Sequence, residues 1–164
     1  MRIKHTLTWP VVAIALAAIA AVLAGAGFLG YRAYEYDRLE QARENSVTAA
    51  RKTVESMFSY DFKTVDATLP KVADNLAPGF QEDYLKLVKE AIAPGAKEKS
   101  LTVQATAQAG GVISVDVEHA EVLLFLNQVT TSKDKPEATT SGSRVKVSLD
   151  KDGDRWLVAE VTPV

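Results

Sequence analysis

The sequence has 164 residues, of which 47% are hydrophobic and 24% charged, with a formal net charge of −2 and no cysteine. This size and composition suit one globular domain with an additional segment, and they exclude a fold held together by disulfides. The charges of both signs are interspersed, which argues against a nucleic-acid partner, because phosphates are bound by clustered cations.

The first predicted element is an uncharged segment from Trp9 to Tyr31. As a helix it would reach roughly 35 Å, enough to cross the hydrocarbon core of a bilayer. Arg2 and Lys4 precede it and aromatic residues stand at both ends, which is typical of a helix whose N-terminus stays in the cytoplasm. We therefore predict a single-pass protein of the cell membrane, with a cytoplasmic tail (1–8), a transmembrane helix (9–31) and an extracytoplasmic domain (32–164).

A cleaved secretory signal is the alternative, since Ala24-Gly25-Ala26 offers the small residues that a signal peptidase requires. The apolar segment is longer than a usual signal core, and helix-favouring residues follow it directly, so an anchor is favoured. Either interpretation exports the C-terminal domain. Of the 19 Lys and Arg, Arg2 and Lys4 precede the segment, so 17 follow it, against 21 Asp and Glu. This balance does not favour binding of the domain to anionic lipid.

Small residues recur at four-residue spacing within the predicted anchor, at Ala17, Ala21 and Gly25. Such a stripe lets another helix approach closely in a membrane. In an alanine-rich segment the same spacing also arises by chance. The stripe is a candidate interaction site for a partner helix.

Helical periodicity continues after the anchor. Apolar residues recur every three or four positions between Leu39 and Phe58, and the charged residues between them, including Arg51 and Glu55, are interpreted as a solvent-exposed face. Two short helical turns are predicted around Thr64 and Pro70. A further helix opens at Pro78, and Pro94-Gly95 should end it. The helices thus cover about residues 33–97.

The period changes to two from Leu101. The segment LTVQATAQA alternates, Gly110-Gly111 suggests a bulge or bend, and the segments AEVLLFLNQVTTS, SRVKVSLD and RWLVAEVTPV follow. Four antiparallel strands over about residues 101–163 result, with a mobile hairpin loop at 132–143. Helices followed by a meander predict an α+β fold, with the helices packed on one face of a curved four-stranded sheet. The expected core includes Phe58, Phe80, Phe125 and Trp156.

Adjacent amides, Asn127 and Gln128, interrupt the apolar run of the third segment. Neighbouring strand residues face opposite sides of a sheet, so the two amides cannot line one pocket. The run Val122 to Leu126 is apolar on both faces, which is typical of a central strand covered on both sides. A structural role for the amides is favoured over ligand binding.

Few residues of the sequence are candidates for catalysis or metal binding. His119 stands alone in a predicted turn, and a structural or merely exposed role is favoured. Nucleotide-binding glycine loops and nucleophilic triads are absent from the sequence. An enzyme of the ketosteroid isomerase or dehydratase type would need an acid or base in its pocket, and the strand positions expected to face inward are apolar. We therefore predict no catalytic, cofactor-binding or metal-binding residues.

Several segments together resemble the Mce-associated membrane proteins of actinobacteria, which are named for the mammalian cell entry lipid-import systems. They are the N-terminal anchor and the segments AARKTVESMFSYDFKTVDATL, PGFQEDY, AEVLLFLNQVTTS and RVKVSLDKDGDRWLVAEVTPV. The resemblance implies a cystatin-like fold of the nuclear transport factor 2 type, an accessory role beside lipid transporters, and no catalytic residues. Type IV secretion assembly factors share the same plan of anchor, helices and curved sheet.

The leading hypothesis is a non-enzymatic, membrane-anchored accessory subunit that positions or stabilises an envelope transport complex of the Mce type. The alternatives are a module that binds a lipid or another apolar ligand and a type IV secretion-like assembly factor; an enzyme ranks below both. Expected partners are the membrane, transporter subunits or homologous accessory proteins, a second copy of the chain, or a lipid.

Strand alternation predicts where a partner would bind. If Val145, Val147 and Leu149 face the helices, then Arg144 and Lys146 face outward. Gln128 is the amide expected beside them. This outer sheet face is a candidate interface, and a merely solvated face is the alternative.

Overall fold

The computed structural model describes the backbone of residues 9–164. The predicted tail, residues 1–8, lies outside the described residues, as do the side chains of Ala17 and Ala21. The chain divides into two compact units, Met1–Arg38 and Leu39–Val164.

The described part of the first unit is helical. It belongs to α1, which extends over Trp9–Phe58. Near the end of the first unit, the Tyr31 hydroxyl donates to the Glu35 carboxylate at 2.9 Å. Within the part of the chain that the structure describes, no helix combines the length and apolar character needed to cross a membrane.

The second unit begins within α1 and continues with short helical segments. α2 spans Val65–Thr68, a 3₁₀ segment Leu69–Asn75, and α3 Pro78–Leu87. A π-helical turn, Val88–Ile92, joins α3 to α4, Ala93–Lys99. The predicted helix end at Pro94-Gly95 is therefore wrong. Pro94 is the second residue of α4, directly after the π-helical turn, and the helix continues through it to Lys99.

Five strands form one antiparallel sheet. They are β1 (Tyr60–Asp61), β2 (Thr102–Val115), β3 (His119–Thr131), β4 (Thr139–Asp152) and β5 (Arg155–Pro163), in the spatial order β1-β2-β3-β4-β5. The α+β prediction is confirmed, but its count of four strands is wrong. A strand of two residues, β1, is too short to show alternation in the sequence. It pairs with the start of β2, Tyr60 opposite Val103.

The hairpin between β3 and β4 is shorter than predicted. Thr139 already pairs with Thr130, so the connection covers residues 132–138 rather than 132–143. The threonines and serines at the start of β4 have the polar composition of a loop, but they pair along the whole second half of β3. Pairing with a neighbouring strand decides their structure.

The two bulges in β2 lie before and after Gly110-Gly111, where a bulge or bend was predicted. The register with β3 shifts between Ala107 and Ala109 and again between Val112 and Ser114. Gly110 itself stays paired, opposite Leu124, and a Cβ atom there would lie 2.4 Å from the Leu124 Cδ2 atom. The glycine is needed for close packing rather than for the bulge.

The core lies between the helices of the second unit and one face of the sheet. Buried residues of the sheet alternate along each strand; they are Ala105, Ala107, Ala120, Val122, Leu124, Leu126, Val145, Val147, Leu149, Trp156 and Val158. The second half of α1 contributes Ala42, Ala50, Val54 and Met57. Of the predicted core aromatics, Trp156 is buried, and Phe58 and Phe80 are half-buried against this cluster.

Phe125 is not a core residue, which corrects the prediction. It is 43% exposed, because β3 directs its even-numbered residues from Ala120 to Leu126 into the core. The run Val122–Leu126 is apolar on both faces, so the sequence pattern alone did not distinguish the inner from the outer face.

Beyond β1, the edge of β2 at Ala105 and Ala107 is bonded by two side chains of α1 and by Ser59, the residue after that helix. The Glu55 carboxylate accepts from the Ala107 N–H at 2.7 Å, and Arg51 donates to the Ala107 carbonyl oxygen. The Ser59 hydroxyl oxygen accepts from the Ala105 N–H at 2.9 Å. Arg51 and Glu55 are half-buried, so the interpretation of these two residues as a solvent-exposed face is wrong.

Candidate functional site

The candidate site is the face of the sheet that points away from the core. Across β3 and β4 the register places Phe125 opposite Arg144 and Leu123 opposite Lys146. These positions alternate with the buried residues and therefore lie on the outer face. The predicted outward direction of Arg144 and Lys146 agrees with this register.

The central strand presents apolar side chains on this outer face. Phe125 is 43% exposed and Val129 39% exposed, and Leu123 is half-buried between them and the charged end of the strand. A shallow depression of about 230 Å³ lies beside the Phe125 ring, with Asn127 and Arg144 in its lining. The outer face thus combines an apolar middle with a polar border, the arrangement found in many protein interfaces.

An ion pair forms part of that border. The Lys146 ammonium donates to the Glu121 carboxylate at 2.9 Å, and the two side chains are 37% and 38% exposed. This hydrogen bond lowers the pKa of Glu121 and raises the pKa of Lys146, so both groups are charged at neutral pH. Because the pair is solvent-accessible, its contribution to stability is small.

The two amides lie on opposite faces, but the predicted outward one is wrong. Asn127 is exposed and pairs with Thr106 and Gly142 on the outer face. Gln128 pairs with Ala105 and lies on the face of Leu126, where it is half-buried. The phase of β3, set by its buried even-numbered residues, decides which amide faces outward.

His119 is the first residue of β3, directly after the turn that follows β2, rather than a turn residue as predicted. Its Nδ1 atom is 2.8 Å from the Asp150 carboxylate, and the Asp116 carboxylate accepts from the N–H groups of Glu118 and His119 at 2.7 Å. The hydrogen bond to Asp150 raises the pKa of His119. Among the described residues, no group of three or more side chains could hold a metal ion. The hydrogen bonds to Asp116 stabilise the turn between β2 and β3.

Gly25 is the member of the small-residue stripe whose surroundings the structure describes. This glycine is exposed, and a Cβ atom built on it would meet no atom within 4 Å. Ala17 and Ala21 lie outside the described side chains. The use of the stripe for helix packing stays a prediction.

Comparison with known proteins places the chain among mycobacterial relatives. Residues 9–164 match the model of the family described as "Uncharacterized protein Rv1363c/MT1408-like". The chain belongs to the Rv1363c/MT1408-like family. It is 34% identical over 145 residues to "Outer membrane protein Rv1973" of Mycobacterium tuberculosis, covering 88% of this chain and 89% of the relative. It is also 32% identical over 148 residues to Rv1362c of the same organism, covering 87% and 67%.

Two solved structures share the fold. The periplasmic domain of DotI matches with a TM-score of 0.60 at 14% identity, covering 71% of this chain and 91% of that domain. An IcmL-like type IV secretion system protein from Legionella pneumophila matches with a TM-score of 0.59 at 14% identity, covering 71% and 89%. At this identity the likeness shows the fold, and the narrower nuclear transport factor 2 label stays a prediction.

Proposed function

We propose that this member of the Rv1363c/MT1408-like family is a non-enzymatic accessory subunit of an envelope transport complex, held at the membrane by the segment Trp9–Tyr31. The sequence resemblance to Mce-associated membrane proteins supports a lipid importer of the Mce type as the complex. The name of the relative Rv1973, an outer membrane protein, supports a location in the cell envelope. The likeness of the fold to the periplasmic domain of DotI and to an IcmL-like secretion-system protein favours the same compartment.

The observation that carries the proposal is the outer face of the sheet. The central strand exposes Phe125 and Val129 there, although a solvated face would normally carry polar residues at those positions. Arg144 lies directly opposite Phe125 and Lys146 is held by Glu121, so the apolar middle has a charged border of defined geometry. Aromatic and arginine side chains in such surroundings are the residue types that contribute most to binding.

The test is affinity purification of the tagged full chain from native membranes, followed by identification of the proteins that accompany it. We expect Mce-type transporter subunits with the wild-type chain. The double variant Arg144→Glu, Lys146→Glu and the single variant Phe125→Ala should each reduce their recovery at least several-fold. All of these side chains are exposed or half-exposed, so the variants should accumulate and melt like the wild type.

The matched control is Lys86→Glu with Lys89→Glu, which makes the same charge change on exposed positions of the α3 region. It should leave recovery unchanged. Normal recovery of transporter subunits with both outer-face variants would exclude this face as the interface. Recovery of type IV secretion-like components in place of Mce subunits would contradict the transporter assignment, and recovery of a second tagged copy alone would indicate self-association.

A further inference from the structure

A cavity lies beneath the sheet, on the side opposite the outer face. Its volume is about 350 Å³, and side chains of α1, α3, β4 and β5 line it, among them Met57, Phe58, Phe80, Tyr84, Val145 and Val161. Small-molecule sites in proteins occupy about 300–1,000 Å³, so this cavity is at the small end of that range. Its size suits one aliphatic chain or one ring system, and it is too small for both chains of a phospholipid.

The lining of the cavity is apolar with few polar groups. Among the described residues that line it, none is a lysine, arginine or histidine, and Asp83 is the one carboxylate. An apolar cavity binds water poorly and apolar ligands well. A carboxylate at its border, with no cation in the lining, disfavours an anionic ligand.

Tyr84 lines the cavity and carries a buried hydroxyl group. The residue is 3% exposed, and its hydroxyl oxygen is buried without a hydrogen-bond partner among the described residues. Burial raises the pKa of Tyr84 to about 12, so the hydroxyl keeps its proton and can donate it. Buried hydroxyl groups without partners are uncommon in folded proteins, because each one costs free energy.

We propose that this cavity is a binding site for an uncharged single-chain ligand, a fatty alcohol or a compound of similar chemistry, whose oxygen accepts a hydrogen bond from Tyr84. The chain of the ligand occupies the apolar space between α3 and the sheet. Its oxygen reaches the tyrosine when side chains of the lining move aside, because they cover the hydroxyl. The site goes beyond the accessory role, which uses the opposite face of the sheet.

The test uses the full chain in phospholipid nanodiscs and a decanol analogue that carries an aliphatic diazirine. Light-induced labelling should saturate and map to the peptides that contain residues 57–60 and 80–92. Unlabelled 1-decanol should compete, and decanoate should compete several-fold less well because of Asp83. Asp83→Asn should reduce the difference in competition between 1-decanol and decanoate.

Tyr84→Phe keeps the ring and removes the hydroxyl. It should weaken competition by 1-decanol roughly three- to tenfold and leave competition by decane unchanged, since one neutral hydrogen bond is lost. The melting temperature of the variant should equal or exceed that of the wild type, because the unpartnered group is gone. Tyr36→Phe, at an exposed tyrosine outside the cavity, is the matched control and should bind as the wild type does.

Three results would overturn the proposal. They are labelling spread over other parts of the chain, equal competition by 1-decanol in Tyr84→Phe and wild type, and equal or better competition by decanoate. The first excludes the cavity as the site, the second excludes the role of the hydroxyl, and the third excludes the neutral ligand. Each is independent of whether transporter subunits accompany the chain from membranes.

Discussion

The carboxylate of Glu55 accepts a hydrogen bond from the backbone N–H of Ala107 at 2.7 Å. Arg51, one helical turn earlier, donates to the Ala107 carbonyl oxygen, and the hydroxyl of Ser59, the residue after α1, accepts from the Ala105 N–H. The spacing of four residues places Arg51 and Glu55 on one face of α1, and Ser59 follows the end of the helix. The three side chains satisfy backbone groups of Ala105 and Ala107, on the edge of β2 that the two-residue strand β1 leaves unpaired. Unpaired edges of this kind otherwise invite pairing with another chain.

Replacing Glu55 by alanine should destabilise the domain by about 1–3 kcal/mol, because the N–H of the buried Ala107 would lose its partner. Chemical denaturation of the full chain, followed by circular dichroism, measures the change. Glu44→Ala removes a carboxylate from an exposed position of the same helix and should change stability by less than about 0.5 kcal/mol. Equal effects of the two substitutions would contradict the role of Glu55 at the strand edge.

Gly110→Ala tests the close approach of β2 to Leu124. The added Cβ atom would lie 2.4 Å from Leu124 Cδ2, and the leucine is fully buried, so it has little room to move. We expect a loss of about 1–3 kcal/mol from overpacking. Gly111→Ala is the matched control, since its Cβ atom meets nothing within 4 Å. The same denaturation experiment compares the two, and a Gly110 variant as stable as the Gly111 variant would show that the core adapts without cost.

His119 should titrate above its usual pKa of about 6.5. The hydrogen bond from its ring to Asp150 is the main cause, and the neighbouring charges of Asp150, Asp116 and Glu118 act in the same direction. Because the pKa is raised in the folded state, the pair supports folding below the unfolded pKa. That contribution is lost as the pH rises through the folded pKa.

A nuclear magnetic resonance titration of the His119 ring protons measures this pKa, with the signal assigned from its absence in His119→Gln. Asp150→Asn should move the pKa down towards its usual value. Asp154→Asn removes a carboxylate from the next turn and should leave it in place. An unchanged pKa in Asp150→Asn would show that the pair does not form in solution.

The sequence alone determined the α+β plan and most of the strand faces. The change of hydrophobic period at Leu101 separates helices from strands, because a helix buries every third or fourth residue and a half-buried strand every second. In β4 the alternation of Val145, Val147 and Leu149 with polar residues already distinguishes the inner face from the outer one. These properties depend on neighbours along the chain, which a sequence displays.

The tertiary structure decided what depends on neighbours across space. The run Val122–Leu126 is apolar on both faces, so only packing against the helices fixes the phase of β3 and leaves Phe125 and Asn127 outside. Glu55 lies between the apolar positions of the helical period, which is typical of a solvent-exposed residue. Only the position of β2 beside α1 gives its carboxylate a backbone partner. The cavity around Tyr84 likewise depends on α1, α3 and two strands that are distant in sequence, because the shape of a space between elements is a property of their packing and not of any one segment.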